Sequence, residues 1–311
     1  MNFKDLHAFE TICRCGSISA ASQELFESPQ ALSKMIQKME AELDAPLLVR
    51  QSGGVVPTPC GSLLLAFADK VLQEYDLTRT SIRSLRLQNR GLLRMASAFG
   101  ILRHLTPGFV HAFTDAHPDL HLDYMEYPDR YVSANLKNGN YDLALAPYLA
   151  KDPDLAYTDL FSCEIFFVTH PGSRFYDREE VSVREVQAEP FVLENENFLI
   201  HHIYFDTCRQ EGVRPDIYFH TSGFSLCYKL CKSGEANTAS MDFIFDDMKD
   251  ETLRMIPFKE HPIWRVALLL RRDAAVSENL QALIDHAVHW CRNLETSPTA
   301  PPAPGPAPGN P

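Results

Sequence analysis

The spacing of apolar residues between positions 16 and 50 predicts two short helices joined by a tight turn. In the second helix the apolar positions, at steps of four, three and four residues, are Leu32, Ile36, Met39 and Leu43. Such spacing places them on one inward-facing stripe. Ser28 stands where an N-cap is expected, and Pro29 follows at the first helical position. The opposite face carries side chains suited to base edges and phosphates, namely Gln30, Ser33, Lys34 and Gln37. The pattern is typical of a helix-turn-helix, but also of an ordinary amphipathic helix pair.

Residues 59–88 follow a near-heptad pattern that predicts one long helix. Its apolar positions are Leu64, Phe67, Val71, Tyr75, Ile82 and Leu85. Thirty residues at about 1.5 Å each make a rod of roughly 45 Å. An isolated rod cannot bury such a stripe, so we expect it to pack against a second copy of the chain or against the same chain's second domain.

From Gly91 onward, predicted strands alternate with predicted helices. The strands are expected at 92–96, 121–127, 141–147, 163–169, 191–193, 216–221, 237–241 and 264–270. The helices are expected at 101–116, 131–137, 198–211, 224–232 and 276–292. This alternation favours a parallel sheet with crossover helices, arranged as two lobes that close around a small ligand.

Ligands of such sheets bind beyond the carboxyl ends of the strands, in the crevice between the lobes. The side chains expected there are Ser97, Ala98, Phe99, Tyr127, Tyr148, Phe198, Thr221, Ser222, Ser240 and Met241. Ser97 precedes a predicted helix N-terminus, which suits an anion. Glu194 and Glu196 would repel a carboxylate if they faced inward. Each polar residue could instead satisfy a helix cap or a strand end.

Composition and charge narrow the class of protein. With 311 residues and a hydrophobic share of 45%, the chain can build two or three domain cores. The net charge of −12 disfavours non-specific binding to nucleic acid. Affinity depends on local charge, however, and three cations cluster in and just after the second helix of the predicted helix-turn-helix, namely Lys34, Lys38 and Arg50. We therefore expect modest non-specific binding and a specific complex that relies on dimerisation.

The eight cysteines and twelve histidines form no metal or catalytic motif. Cys13 and Cys15 are one residue apart and Cys227 and Cys231 are four apart, but no CxxC pair or zinc-finger spacing occurs. We expect buried, reduced thiols. No nucleophile elbow, P-loop or zincin motif is present. The prediction is a protein that is not an enzyme and has no catalytic residues, metal site or cofactor.

The two ends of the chain add little chemistry. The first residues predict an amphipathic helix rather than a signal peptide, and no apolar run approaches the roughly 20 residues that span a bilayer. We expect a cytoplasmic protein that does not enter the membrane. Residues 296–311, TSPTAPPAPGPAPGNP, are predicted to be a disordered, proline-rich tail.

The N-terminal stretch resembles the winged helix-turn-helix of LysR-type transcriptional regulators. The matching elements are Gly16-Ser17, Ala20-Ala21, Ser28-Pro29-Gln30-Ala31-Leu32-Ser33, Lys34, Ile36, Met39-Glu40, Leu43 to Arg50, a wing at 51–54, and Pro57-Thr58-Pro59-Cys60-Gly61. Asp44 replaces the family's usual Gly, Pro29-Gln30 inverts the usual order, and the wing lacks its common Arg or Lys. These departures bear on DNA sequence preference rather than on the fold.

The C-terminal half resembles the same family's effector domain, which is similar to a type 2 periplasmic-binding fold. The matching segments are Gly91 to Met95, Leu105 to Phe109, His117 to Leu120, and Leu136 to Leu145. The resemblance implies an α/β protein with a winged helix-turn-helix at 1–60, a linker and dimerisation helix at 61–90, a two-lobed effector-binding domain at 91–295 and a tail at 296–311.

The implied function is ligand-responsive regulation of transcription. The implied partners are double-stranded DNA, a small-molecule effector, further copies in a homodimer or homotetramer, and RNA polymerase. The residues expected to contact DNA are Ser28, Gln30, Ser33, Lys34, Gln37, Lys38, Arg50 and Ser52. Two alternatives remain open: a small-molecule binding protein of the same two-lobed fold without DNA function, and a regulator that senses oxidants through thiols, for which Cys208, Cys227 and Cys231 are the candidates.

Overall fold

The structure is a computed structural model that describes residues 1–51, 53–248 and 251–295. The chain forms two compact units, one within residues 1–82 and one that begins at Arg83. Ser52 and the predicted tail at 296–311 lie outside the described residues.

The N-terminal unit is a three-helix bundle followed by a two-stranded wing. Its helices are α1 (Phe3–Cys15), α2 (Ile18–Leu25) and α3 (Pro29–Leu43). The wing pairs β1 (Leu48–Gln51) with β2 (Gly54–Pro57) in antiparallel fashion. A Cβ atom on Gly54 would lie 2.1 Å from the carbonyl oxygen of Gly16. Only glycine therefore lets the wing approach the turn between α1 and α2 this closely.

The predicted apolar stripe of α3 is buried over most of its length. Leu32, Ile36 and Met39 pack into the core of the N-terminal unit. Leu43, which was predicted to face inward, is instead 42% exposed. The reason is that α3 ends at this residue, where Asp44 adopts a left-handed conformation with φ 48°. Asp tolerates that conformation better than most residues with a Cβ atom, so it can stand where glycine is usual.

The predicted long helix is confirmed as α4, Pro59–Gln88. Several of its large apolar side chains are exposed within the described chain: Leu63, Phe67, Tyr75 and Ile82. The last turn of α4 is held by a buried polar network around Asp142 of the second unit. Arg94 pairs with Asp142 at 2.9 Å, and Gln88 Nε2 donates to the same carboxylate at 3.2 Å. The carboxylate is thus fully compensated, and it fixes the end of the helix.

The second unit contains nine strands and seven helices in its described part. In chain order they are β3 (Leu92–Ala98), α5 (Ile101–Ala116), β4 (His121–Tyr127), α6 (Asp129–Lys137), β5 (Leu143–Pro147), β6 (Leu155–Thr169), α7 (Val183–Val186), β7 (Val192–Glu194), α8 (Leu199–Gln210), β8 (Phe219–Thr221), α9 (Phe224–Lys232), β9 (Thr238–Met241), α10 (Asp242–Asp247), β10 (Arg254–Pro257), β11 (Ile263–Arg271) and α11 (Glu278–Glu295). Helix α5 is kinked at Thr106 and Pro107, because proline lacks the N–H that a continuous helix requires.

The expectation of a parallel sheet is wrong for half of this unit. Strands β3, β4 and β5 are parallel, and β7 pairs in parallel with β8. Strand β11 is antiparallel to both β5 and β6, and β6 is antiparallel to β9 and β10. The seven-stranded sheet is therefore mixed, with the order β10-β6-β11-β5-β3-β4 and β9 beside β6.

Strand β6 is twice as long as its apolar pattern predicts, and it joins the two lobes. Its first ten residues pair with β11, while Ile165 to Thr169 pair with β9 and β10. The first lobe contains β3, β4, β5, α5 and α6, and the second contains β7 to β10, α8 and α9. The strand pair that the two lobes share is β6 with β11, and the crevice between the lobes lies beside it.

Candidate functional sites

One face of α3 is exposed and polar. Gln30, Lys34 and Gln37 are exposed and Ser33 is half-buried. Together with Pro29 they line a shallow surface groove of about 430 Å³. Ser28 begins the helix, and its hydroxyl oxygen accepts a hydrogen bond from the backbone N–H of Ala31 at 3.1 Å. The cap and Pro29 set the first turn, so the polar face follows directly from the local sequence.

Three of the predicted DNA-binding residues are exposed cations. Lys34 and Lys38 are exposed on α3, and Arg50 is exposed on β1 of the wing. None of the three forms an ion pair with a side chain in the described ranges. The structure therefore brings together seven of the eight predicted DNA contacts on one helix and the adjoining strand, while Ser52 lies outside the described residues.

A second candidate site is the crevice between the lobes of the second unit. Its aromatic walls are Phe99, Phe198, Phe224 and Trp264. The rings of Phe99 and Phe198, from opposite lobes, are stacked with centroids 6.3 Å apart. Ile200, Ser240, Met241 and Ile244 complete the lining together with two acidic residues. The cavity measures about 20 Å³, which is room for about one water molecule.

The two acidic residues are Asp129, at the start of α6, and Glu194, the last residue of β7. Glu194 is 6% exposed, and its Oε2 atom has no hydrogen-bond partner among the described residues. Asp129 Oδ2 accepts a hydrogen bond from the backbone N–H of Leu199 at 2.7 Å. Burial raises the pKa of each carboxyl to about 7, and the charge of Asp129 contributes further to the rise at Glu194.

Close packing of the lobes keeps the crevice narrow. Gly100, at the N-terminus of α5, has φ +91°, and a Cβ atom there would lie 2.8 Å from Cδ1 of Ile244. The backbone N–H of Arg130 also donates to the carbonyl oxygen of Asn197 in the opposite lobe at 3.1 Å. Any ligand much larger than water must therefore separate these contacts.

The ten residues predicted for the ligand site fall in three places. Phe99, Phe198, Ser240 and Met241 line the crevice. Ser97 and Ala98 are buried in β3, where the Ser97 hydroxyl is hydrogen bonded to Tyr124 at 2.7 Å instead of facing a ligand. The remaining four have side chains outside the crevice lining. Tyr127 is hydrogen bonded to Tyr141, and Tyr148 lies in a separate groove that Arg265 also lines. Thr221 is half-buried and Ser222 is exposed.

The sequence prediction left out the acidic residues and two aromatic walls. Asp129 lies two residues beyond the predicted strand end at Tyr127, so the rule that selected Tyr127 could have found it. Glu194 was recognised only as a residue that would repel carboxylates if it faced inward, which it does. Phe224 and Trp264 open a predicted helix and a predicted strand, and the sequence carries no sign of which way their rings point.

The three cysteines considered for oxidant sensing, Cys208, Cys227 and Cys231, are buried and offer little nucleophilic chemistry. All eight are free thiols. Burial raises the pKa of Cys208 to about 11 and that of Cys231 to about 12, and it raises the pKa of Cys227 further. A protonated, buried thiol reacts slowly with oxidants. Among the described residues, no group of three or more His, Cys, Asp or Glu side chains is arranged to hold a metal ion.

Within the same described ranges, no helix is both long enough and apolar enough to cross a membrane. The exposed polar face of α3 and the two-lobed second unit define the class of protein: a winged helix-turn-helix joined by a long helix to a ligand-binding domain.

Comparison with known proteins gives the family. The model of the bacterial regulatory helix-turn-helix protein of the lysR family matches residues 3–62, and the model of the LysR substrate binding domain matches residues 86–292. The chain therefore belongs to the LysR family of DNA-binding transcriptional regulators, whose members carry a substrate-binding domain. The predicted family and fold class are confirmed.

Similar proteins cover nearly the whole chain. The HTH-type transcriptional regulator YwbI of Bacillus subtilis (strain 168) is 23% identical over 92% of this chain and 95% of its own length. The Corynebacterium glutamicum OxyR C206 mutant has a TM-score of 0.60 at 20% identity and covers 94% of this chain and 92% of its own. Full-length CbnR in complex with its target DNA has a TM-score of 0.54 at 16% identity and covers 94% and 100%.

Proposed function

We propose that this regulator reads double-stranded DNA with residues 1–60, dimerises through residues 61–90 and binds a small-molecule effector with residues 91–295. The observation that carries the proposal is the exposed polar face of α3 in the same chain as an enclosed crevice between two lobes. Each is a binding surface, and one continuous helix, α4, runs from the first unit into the second.

For DNA, the proposal assigns base contacts to the polar side chains of α3 and phosphate contacts to the cations around them. Gln30, Ser33 and Gln37 can bond to base edges, while Lys34, Lys38 and Arg50 neutralise phosphates, and Ser28 and Ser52 are assigned further contacts to DNA. The likeness to CbnR, whose structure was determined with its target DNA, supports this assignment. Since the whole chain carries a charge of −12, specific binding depends on placing two such faces on one operator.

For oligomerisation, the exposed apolar side chains of α4 supply the contact. Leu63 is 76% exposed and Ile82 58%, which is costly on a helix that stands in water. A second copy of α4 would cover them, in a homodimer or in a homotetramer built from two dimers. We further propose that the protein works in the cytoplasm and contacts RNA polymerase at the promoters that it regulates.

For regulation, ligand binding in the crevice changes the relation of the two lobes. The last turn of α4 is bonded to Asp142 at the edge of the first lobe, so lobe movement is passed to the dimerisation helix. The effector thereby shifts the population between two arrangements of the paired reading helices.

The test is binding of the purified full-length protein to DNA upstream of its own gene, measured across a salt series with random DNA as the control. Binding that exceeds random DNA by at least a hundredfold and weakens with salt supports the proposal. Binding equal to random DNA at that site and in a genome-wide pull-down would contradict it, and would favour the two-lobed binding protein without DNA function. The raised thiol pKa values at Cys208, Cys227 and Cys231 disfavour the oxidant sensor.

A further inference from the structure

We infer that the crevice selects a small organic cation, an amine or a guanidine whose charged head lies against Glu194 and Asp129 and whose apolar part packs on the aromatic walls. The inference rests on the proposed function in one respect, that the crevice is the effector site.

The first observation is the Oε2 atom of Glu194, which has no hydrogen-bond partner among the described residues. Glu194 ends β7, is 6% exposed and lines the crevice. A buried carboxylate without a partner is strongly destabilising, and structures rarely retain one unless it meets a cation or a hydrogen-bond donor. A ligand that carries a positive charge and N–H donors supplies both.

The second observation is that the chain's own carboxylate occupies the place where an anionic ligand would bind. The N-terminus of α8 opens into the crevice, and free N–H groups at a helix N-terminus attract anions. Here the backbone N–H of Leu199 is already bonded to Asp129 at 2.7 Å. A ligand carboxylate would have to displace Asp129 and then lie beside both acidic residues. The crevice therefore excludes an anion, although the sequence analysis had expected an anion at the helix N-terminus that follows Ser97.

The third observation is the chemistry of the walls. Four aromatic rings line the crevice, and among the described residues that line it there is no Lys, Arg or His. Aromatic faces attract cations, more strongly when water is excluded. The guanidinium of Arg103 lies 5.1 Å from the centroid of the Phe224 ring and is paired with Asp247, which is not among the residues that line the crevice. The lining that the structure describes is thus acidic and aromatic and contains no cationic side chain.

The small size of the cavity implies that the two lobes must separate when a ligand binds. At about 20 Å³ the cavity holds little more than a water molecule. An organic amine enters only if the lobes part at the bond between Asp129 and Leu199 and at the bond between Arg130 and Asn197. Its ammonium group then takes over the role of the Leu199 N–H as the partner of Asp129. Binding and lobe movement are therefore one event.

Protonation of the two carboxyls makes the binding dependent on pH. In the described part of the chain, the titratable groups near Glu194 are Asp129 from α6, Cys227 and Tyr228 from α9, and His201 from α8. The His201 ring is hydrogen bonded to the backbone carbonyl oxygen of Glu194, and His220 of β8 lies beside it. The pKa of each carboxyl is about 7, and a bound cation favours the ionised form. Each carboxyl that must ionise therefore weakens the affinity about tenfold between pH 8 and pH 6.

The experiment is calorimetric titration of the full-length protein with matched probes of one shape and different charge. Benzylamine, benzyl alcohol and benzoate form one set, and butylamine, butanol and butyrate form the other. We expect at least one amine to bind at least tenfold more tightly than its matched alcohol and acid at pH 8, and at least tenfold more weakly at pH 6. An acid that binds as tightly as its amine, or the absence of measurable binding by both amines, would overturn the inference.

Two variants and a matched control locate the binding. Glu194→Gln and Asp129→Asn should each weaken amine binding at least tenfold and reduce its pH dependence. Glu196→Gln makes the same change at an exposed residue two positions away that does not line the crevice, and it should leave amine binding unchanged. Equal losses in all three variants would overturn the assignment. DNA binding by the same preparations is scored separately, so amine binding without operator binding would contradict the proposed function and leave this inference intact.

Discussion

The face of α3 and the crevice between the lobes hold their charged groups in opposite ways. Lys34 and Lys38 stand in water, with no ion pair to a described side chain. Glu194 and Asp129 line an enclosed cavity of about 20 Å³, and one oxygen of Glu194 has no partner among the described residues. The face of α3 is open and solvated, whereas the crevice is enclosed and leaves one carboxyl oxygen without a described hydrogen-bond partner.

Under the proposed function, the difference predicts how each site obtains its binding free energy. Exposed lysines are well solvated in the DNA-free protein, so they do not destabilise it. The free energy that they contribute to DNA binding comes from neutralising phosphates and releasing counterions, and it therefore depends on salt. Buried carboxyls destabilise the ligand-free fold, and a complementary cation removes that penalty, so the gain depends on pH. Salt should therefore tune the first site, and pH the second.

The largest expected effect concerns Glu194 and pH. Its pKa is raised from 4.5 to about 7 in the folded protein. The protonated carboxyl is therefore favoured in the fold, and its contribution to stability is full below about pH 4.5 and lost as the pH rises through 7. At about 1.4 kcal/mol per pH unit, over the roughly 2.5 units between the two pKa values, this loss is on the order of 3 kcal/mol. Glu194→Gln should remove it, so the variant gains stability relative to the parent protein from pH 5 to pH 8.

Urea unfolding, followed by tryptophan fluorescence, measures this change in stability for the second unit of the chain. Both tryptophans of the chain, Trp264 and Trp290, belong to the second unit, and Trp264 lines the crevice itself. The control is again Glu196→Gln, whose side chain is exposed and whose stability should follow that of the parent protein at every pH. If Glu194→Gln also tracks the parent protein between pH 5 and pH 8, the carboxyl of Glu194 is not the titrating group.

A smaller effect is expected for Lys34 on DNA. Removing one exposed phosphate contact with Lys34→Ala should weaken operator binding by about tenfold, or roughly 1.4 kcal/mol. The slope of log affinity against log salt should fall by about one, because one fewer counterion is released. Fluorescence anisotropy across a salt series measures both quantities. Lys229→Ala, on exposed α9 surface of the second unit, makes the same charge change as a control. A loss of affinity with an unchanged salt slope would argue against a phosphate contact.

The two sites also differ in how far the sequence predicts them. The polar face of α3 could be found because helical spacing, Ser28 and Pro29 determine it within fifteen residues. The crevice could be found only in part, since Phe99, Phe198, Ser240 and Met241 were predicted whereas Asp129, Phe224 and Trp264 were not. Trp264 reaches the crevice because β11 runs antiparallel to β6, a pairing that sets Trp264 opposite Cys163, about a hundred positions earlier in the chain. No local pattern carries such information.

The smallest effect tests whether Ser28 serves the helix, the DNA or both. Its hydroxyl caps α3 by accepting from the N–H of Ala31 at 3.1 Å, so Ser28→Ala should lower the free energy of unfolding of the N-terminal unit by about 1 kcal/mol. Ser28→Asp retains a capping oxygen and places a negative charge at the helix N-terminus, which stabilises the helix. The same charge repels a phosphate, so this variant should keep its thermal stability and lose operator affinity by several fold. Circular dichroism melts and anisotropy titrations of both variants separate the two roles. Parental DNA affinity in Ser28→Asp would restrict Ser28 to capping and leave base and phosphate contacts to the side chains further along α3.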